Sequence, residues 1–480
     1  MKRNHFAFLL LGLTFAATNA SAQTSVERFN RQLEQIQRET TLQADTSVPA
    51  DQRTLFDYGG YFTLSYLTVE DVNRQTHVLR EYDLVNYARI NIDGAQEFFV
   101  RTLNRYRDFN DQDSFDDKGD QYHFFLDRAY YRFDLQRYDE AYKGQHIDQN
   151  VVLQAGRQLV HWGAGLTLSQ ILDGGVLDLK SGNWSLELLG GITAIQDTVD
   201  FDASRPHFDD HTRRGFYGAQ IALQLTPNHR PYAFVLFQQD YNHSDVRETG
   251  VFQTRFDYNT WYAGFGSTGT LSDQLLYSAE MVYEGGRGLT NSFSSTSGTI
   301  APVPQNYADV SAWAGDARLD YVFTDARRSR LSAEFIIASG DDDRFHTSNT
   351  FGGNKAGTKD RAFNAFGLLN TGLAFAPSVS NLMAMRVGGS MFPIPDSAQF
   401  KRLQLGADFF IFGKVDRNAP IDEGTFEGRY LGVEPDIFLN WQISSDVTLA
   451  LRYGVFFPNS DVVVSSESRQ FFFAGLTFAF

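Results

Sequence analysis

The chain has 480 residues, 58 acidic against 42 basic, for a formal net charge of −16 at pH 7. That acidity argues against nucleic acid as a partner, and the absence of cysteine excludes disulfides and thiolate metal sites. The mean hydropathy of −0.32 reads as soluble, but strands with one polar and one apolar face hide the apolar face in such an average.

Lys2 and Arg3, the apolar run Phe6 to Phe15, and Ala20-Ser21-Ala22 before Gln23 form a secretory signal peptide over 1–22, too short for a spanning helix. No later stretch approaches the roughly 18 apolar residues of a membrane helix. Residence in a membrane would therefore require a closed barrel. Segment 23–50 is polar, with Phe29, Leu33 and Ile36 at helical spacing and Pro49 ending it. It reads as a periplasmic helical or flexible segment, which leaves three roles open: an arm, a plug entering the lumen, or a mobile leader.

From 51 to 480 the chain reads as one barrel. Strand-like runs fall at 55–68, 78–92, 96–107, 121–136, 149–160, 170–180, 183–196, 214–226, 231–242, 252–267, 273–286, 308–324, 329–339, 364–374, 381–392, 402–414, 428–443, 445–458 and 469–480. A bacterial barrel has an even number of strands. The run 364–374 reads better as part of a long loop, which leaves about eighteen. Short turns such as Pro227-Asn-His229, Thr324-Asp-Ala326 and Ser444-Ser-Asp446 alternate with longer polar loops at 108–120, 197–213, 286–307 and 340–380. Short periplasmic turns and long outer loops are the pattern of an all-β transmembrane barrel. The last strand places Phe472, Ala474, Leu476, Phe478 and Phe480 on one face. Such an apolar face ending on an aromatic suits lipid and the barrel-assembly machinery.

Alternation then sorts the charges. Val447, Leu449, Leu451, Tyr453, Val455 and Phe457 share a face, which leaves Arg452 on the other. The same rule turns Arg101, Arg105, Arg107, Arg128, Arg132, Glu187, Glu280, Glu284, Asp316, Arg318, Glu334, Arg386, Asp408, Glu434 and Asp436 inward, since a charge facing hydrocarbon costs several kcal/mol. These residues line a pore, brace it by cross-strand ion pairs, or both. Arg101, Arg105 and Arg107 with Arg128 and Arg132 are the candidate unbalanced basic ladder, able to attract carboxylated or phosphorylated solutes.

The stretch Leu153-Gln-Ala-Gly-Arg-Gln-Leu-Val-His-Trp-Gly163, followed by Leu172-Asp-Gly-Gly-Val-Leu-Asp178, resembles the alginate-export family of outer-membrane barrels. So do Ser380-Asn-Leu382, the Pro393 turn, Leu405-Gly-Ala-Asp-Phe-Phe410, Tyr430-Leu-Gly-Val-Glu-Pro-Asp436 and Tyr453-Gly-Val-Phe-Phe-Pro458. The resemblance implies an eighteen-stranded monomer passing an anionic polysaccharide through a basic constriction. Of its motif residues, Arg157 carries over as pore-lining. Alternation puts Arg157 with Leu153 and Ala155, so an inward position needs a bulge at Gly156. The inward charges here are of both signs, a departure from a basic lumen.

Two clusters read as loop chemistry. Asp111, Asp113 and Asp117 form a weak candidate metal loop, without the full calcium-loop spacing. His207-Phe-Asp-Asp-His211 offers an Asp/His pair that could activate water, yet no nucleophile motif accompanies it. The expectation is an outer-membrane channel with no cofactor. A general porin, a plugged structural barrel and a surface hydrolase using 207–211 are the alternatives. Its partners would be membrane lipid and lipopolysaccharide, the assembly machinery, and polysaccharide-export partners in the periplasm that drive net flow.

Overall fold

The computed structural model describes residues 28–38, 54–111, 113, 119–196, 198–250, 252–296, 299–344, 353–465 and 467–480. The signal peptide and most of 23–50 lie outside the described residues. Strands run in chain order as β1 (Thr54–Glu70), β2 (Thr76–Ile92), β3 (Gln96–Phe109), β4 (Gln121–Asp134), β5 (Gln149–Trp162), β6 (Leu168–Ser181), β7 (Trp184–Thr193), β8 (Arg214–Leu223) and β9 (His229–Asp240). They continue as β10 (Val246–Thr249), β11 (Phe252–Arg255), β12 (Tyr258–Ser272), β13 (Leu275–Leu289), β14 (Phe293–Thr296), β15 (Thr299–Pro302), β16 (Tyr307–Val322) and β17 (Arg330–Ala338). The last five are β18 (Met383–Met391), β19 (Leu403–Gly413), β20 (Tyr430–Gln442), β21 (Val447–Pro458) and β22 (Arg469–Ala479).

The pairs β10–β11 and β14–β15 are small loop hairpins; the other eighteen strands form one sheet. Each pairs antiparallel with its neighbour around the ring, and β22 returns to β1 with Tyr61 opposite Ala479 and Val69 opposite Phe471. Phe480 completes the closure, exchanging two 3.0 Å backbone hydrogen bonds with Gly60. Closure removes the sheet edges everywhere except along residues 121–128 of β4, which satisfies the rest of the backbone in hydrocarbon. No described helix is long and apolar enough to cross a membrane. β1 begins and β22 ends on the same side, the periplasmic side of a bacterial barrel.

Side-chain alternation holds along the strands. In β21, Ala450, Arg452 and Phe456 are buried inside, while Phe457 is exposed outside. In β22, Arg469, Phe471 and Phe473 point in, and Phe478 points out. The segment 364–374 is loop, as expected. β12 starts at Tyr258 rather than at 252, because 252–255 belongs to a loop hairpin. Junction lengths follow the barrel pattern with four exceptions. The outer turns 71–75 and 163–167 are short, and the periplasmic junctions 135–148 and 392–402 are long. The first of these long junctions carries helix α2 (Leu135–Lys143), whose N-cap is Asp134 and whose C-cap is the left-handed Gly144.

The lumen is filled in its outer half. Residues 28–38 form helix α1, with Phe29, Leu33 and Ile36 only 1–3% exposed. The Phe29 ring packs 6.4 Å from that of Phe109 on the inner face of β3. One apolar cluster joins α1 to Phe375, Phe412 and Phe456. A second gathers Trp162, Leu166, Phe234, Phe363 and Phe366. Phe363, Phe366 and Phe375 belong to the junction 339–382, whose described part from 360 onward therefore folds into the barrel.

The tip of the β5–β6 hairpin turns inward too. Leu166, Thr167, Leu168 and Ser169 are all at most 2% exposed. The Ser169 N–H donates to the Phe366 carbonyl at 2.8 Å, and the Leu368 N–H donates to that of Gly165 at 3.0 Å. This bend costs wall pairing. The β4–β5 ladder runs from Asp134↔Val152 only to Ala129↔Arg157, so residues 121–128 pair with β3 alone. In an antiparallel strand alternate residues bond to alternate sides, so about half of the amides in 121–128 lack a ladder acceptor. Hydrogen exchange in nanodiscs should show peptides from 121–128 exchanging well ahead of 129–134. Equal protection along all of β4 would mean that the ladder closes in lipid.

Candidate functional site

The inward charges fall into three groups. The first braces the wall. Arg105 lies 2.9 Å from Asp83, Arg107 lies 2.8 Å from Glu81, and Arg101 pairs with Asp127. Arg132 pairs with Asp134 at 3.1 Å. The supposed basic ladder is thus largely neutralised by carboxylates one strand away or, for Arg132, two residues on along the same strand. Asp127 is legible only in three dimensions. It is the extra residue of a bulge opposite Arg101 and Thr102, which turns it inward out of phase. The Arg128 side chain has no hydrogen bond or ion pair among the described residues. Glu187 faces in beside Asp178.

Arg157 faces out, not in. Its cross-strand partners are Ala129 and Asp173, on the face that carries Leu153. Gly156 does adopt φ +131°, but pairing passes through it without a shift, Gly156↔Gly174 then Arg157↔Asp173, so no bulge turns the side chain. Arg157 instead binds Asp173 at 2.7 Å and donates to the Leu126 carbonyl at 2.9 Å. That carbonyl lies at the point where β4 and β5 part.

The second group clamps the inserted backbone. Glu434 accepts the N–H groups of Leu373, Ala374 and Phe375 at 2.5, 2.7 and 2.8 Å. Glu284 accepts the Asn364 N–H at 2.9 Å, and Glu280 the Ala164 N–H at 2.7 Å. Tyr258 and Tyr232 donate to Glu284 and Glu280 respectively. These glutamates read as pore charges in sequence, yet each is spent on loop amides that have no helix or sheet to join.

Helix α1 is tied into the same assembly. Arg28 reaches Asp422 and Glu423, both at 3.0 Å, and Arg31 reaches Asp422 at 3.4 Å. Gln37 donates to Glu81 at 3.0 Å, and Arg38 to the Ser169 carbonyl at 2.8 Å. Arg469 holds Glu423 from β22 at 2.8 Å. Sequence reasoning missed Asp422, Glu423 and Arg469, since nothing local marks the pairing of the two carboxylates with residues 28 and 31 or of Arg469 with Glu423. Burial pushes both loop carboxyls up, but Arg28 and Arg31 beside Asp422, and Arg469 and Arg28 beside Glu423, hold both below the ordinary range.

The third group lines a cavity in the periplasmic half of the lumen. It measures about 340 Å³ and lies against the periplasmic halves of β16–β21, beneath Gln35 of α1. Arg318, Arg330, Arg386 and Arg452 line it with Asp408 and Asp436. From outside that lining, Asp320 binds Arg330 at 2.8 Å and Arg318 at 2.9 Å, and Glu334 binds Arg386 at 2.6 Å. Asp316 sits opposite Glu280 across β13–β16. Above α1, the remaining space among α1, Phe363 and Val379 is only about 60 Å³, far below the roughly 300 Å³ of small-ligand sites.

Of the candidate metal loop, one carboxylate is engaged elsewhere. Asp113 accepts the Val78 N–H at 2.7 Å, Asp111 is exposed, and Asp117 lies outside the described residues.

Two outcomes test this assembly. Glu434→Ala leaves three buried N–H groups without an acceptor, at about 1–3 kcal/mol each. Limited proteolysis in 339–382 should accelerate strongly; an unchanged rate would show that apolar packing alone holds the loop. The docked pKa values of Asp422 and Glu423 are lowered, so their pairs contribute fully at neutral pH and fade as pH falls through those lowered values. A spin label at Gln35→Cys should stay immobile from pH 8 to 5 and gain mobility only below about pH 4. Mobility gained at pH 5–6 would assign docking to other groups.

A model of the alginate export family matches residues 173–464, more than half of the chain. No curated protein sequence matches it. Among solved structures it is similar to the outer-membrane protein OpdK of Pseudomonas aeruginosa (TM-score 0.52, 7% identity, 89% of this chain and 98% of that one). It is likewise similar to Pseudomonas aeruginosa OpdO (TM-score 0.51, 12% identity, 88% and 97%). A third is OpdQ of the same organism (TM-score 0.51, 10% identity, 88% and 98%). At such identities the likeness speaks for the fold alone. With its closed eighteen-stranded ring and this family match, the chain belongs to the alginate export family, as a porin-like barrel of the Gram-negative outer membrane.

Proposed function

We propose that this barrel is a channel for polar, anionic solutes of the carboxylated-saccharide class, shut in the described state by α1 and the junction 339–382. The observation that carries the reading is the cavity beneath α1, where four guanidiniums line the space with only Asp408 and Asp436 beside them, while Asp320 and Glu334 brace Arg318, Arg330 and Arg386 from outside the lining. Arginine forks suit carboxylates, and a braced fork loses little freedom on binding one. The solute passes by diffusion, so net flow of a polymer requires a drive from periplasmic partners.

α1 is the removable part of the closure. It is short, it precedes the barrel in sequence, and polar contacts to loops and wall hold it as well as apolar ones. Its removal leaves every wall strand in place.

Single-channel recording in planar bilayers tests both halves. The intact chain should give small or rare openings, and deletion of 24–45 should raise conductance severalfold. The opened channel should prefer anions and be blocked by oligouronates. Arg452→Gln should weaken that block by about tenfold or more, as expected for losing a charge-assisted hydrogen bond of ~1.5–3 kcal/mol. Cation-selective or unblocked current would leave a general porin. Unchanged conductance after the deletion would move the closure to 339–382.

A further inference from the structure

The outer junction 194–213 carries a second arrangement of polar atoms, remote from the lumen cavity. In His207-Phe-Asp-Asp-His211, the Nδ1 atoms of His207 and His211 stand 3.3 and 3.2 Å from the same Oδ1 of Asp210. The three potential ligand atoms all lie within 4.8 Å of one another. Around a tetrahedral ion with bonds of ~2.0–2.1 Å, neighbouring ligand atoms are about 3.3 Å apart. Both edges to Asp210 already have that length.

Local folding explains the convergence. The His207 carbonyl accepts the His211 N–H at 2.9 Å, so the segment makes one tight turn and brings positions 207, 210 and 211 to one side. His207 takes a left-handed φ of +58°. The turn rests on a rigid floor. Phe208 is buried, and its carbonyl accepts the Asp200 N–H at 2.8 Å. Arg205, fully buried, binds Asp245 at 2.6 Å and the Pro206 carbonyl at 3.0 Å. The histidines remain 68% and 54% exposed in their side chains and open to the medium.

A separate observation points to a ligand. Asp210 is 44% exposed as a side chain, but its Oδ1 is shielded from solvent and accepts no hydrogen bond among the described residues, although it lies between two imidazole nitrogens. A carboxylate oxygen stripped of water and left without a donor is costly. A cation bridging it to both rings removes that cost.

We infer that His207, Asp210 and His211 form a surface site for a divalent transition-metal ion of the zinc class. Two imidazoles and one carboxylate suit zinc, copper or nickel, whereas calcium and magnesium take oxygen donors. Three protein ligands leave one position for water or for a carboxylate brought from outside.

The test uses the refolded full chain in detergent. Zn²⁺ is titrated in competition with a chromophoric chelator, and Cu²⁺ bound at the same site is read by electron paramagnetic resonance. The expected result is one equivalent bound, with coupling to two nitrogens. His211→Ala should weaken binding at least about tenfold. His207→Asn, chosen because Asn tolerates the left-handed conformation, should do the same. His243→Ala, in a neighbouring loop, should bind as the parent does. Absence of saturable binding, or binding indifferent to both His211→Ala and His207→Asn, overturns the assignment. Should His207→Asn lose the heat-modifiable migration of a folded barrel, His211→Ala alone decides.

Discussion

Irregular backbone brought inside a barrel must find acceptors for its amides, and in this protein the wall supplies them as carboxylates. Glu434 takes three consecutive N–H groups, while Glu284 and Glu280 take one each. A buried amide without a partner costs about as much as a lost hydrogen bond, so the junction 339–382 and the hairpin tip 163–167 could not enter without these glutamates. A buried carboxylate is itself expensive unless several donors surround it. Each side makes the other tolerable, and the filled outer lumen depends on that exchange.

The same reasoning separates charges that hold from charges that bind. On β2–β4, arginines and carboxylates alternate across neighbouring strands, and nearly every guanidinium has its partner within about one side-chain length. On β16–β21, Asp320 and Glu334 brace three of the arginines from outside the lining of the cavity, while Asp408 and Asp436 share that lining with them. A guanidinium has five donors, so one bidentate brace leaves others free for a solute. Composition is alike in the two regions; which side the partner stands on differs. For that reason the cavity under α1, rather than the longer run of arginines on β3 and β4, carries the anion-binding proposal.

Much of this was legible in sequence. Period-two alternation fixes the faces of β21 and β22, the terminal Phe480 marks the closing strand, and the polar stretch before Ser380 reads as loop rather than strand. Local rules also placed Arg157 outward, against the inward role its motif implies, and the unbroken register through Gly156 agrees with the local rule. In-folding was not legible. The partners of Glu434 lie 59–61 residues away, and Arg28 pairs with residues nearly 400 positions on; periodicity carries no information at such range. The bulge at Asp127 was equally hidden, because an extra residue looks like any other polar one until its neighbours are paired.

The parting of β4 from β5 shows what the filled lumen costs. Bending the β5–β6 tip inward buries Trp162, Leu166 and Leu168 against Phe234 and Phe366, at roughly 1.5–3 kcal/mol for each large apolar side chain buried. It also withdraws β5 from the outer half of β4 and exposes a strand edge where hydrocarbon tolerates none. Arg157 stands at the fork of that split. Its guanidinium takes the Leu126 carbonyl freed there and carries its own counter-ion, Asp173. An outward ion pair in a barrel wall is otherwise unfavourable. Here it substitutes for the first missing rung of the ladder, and the energy of the apolar cluster inside is what sustains it.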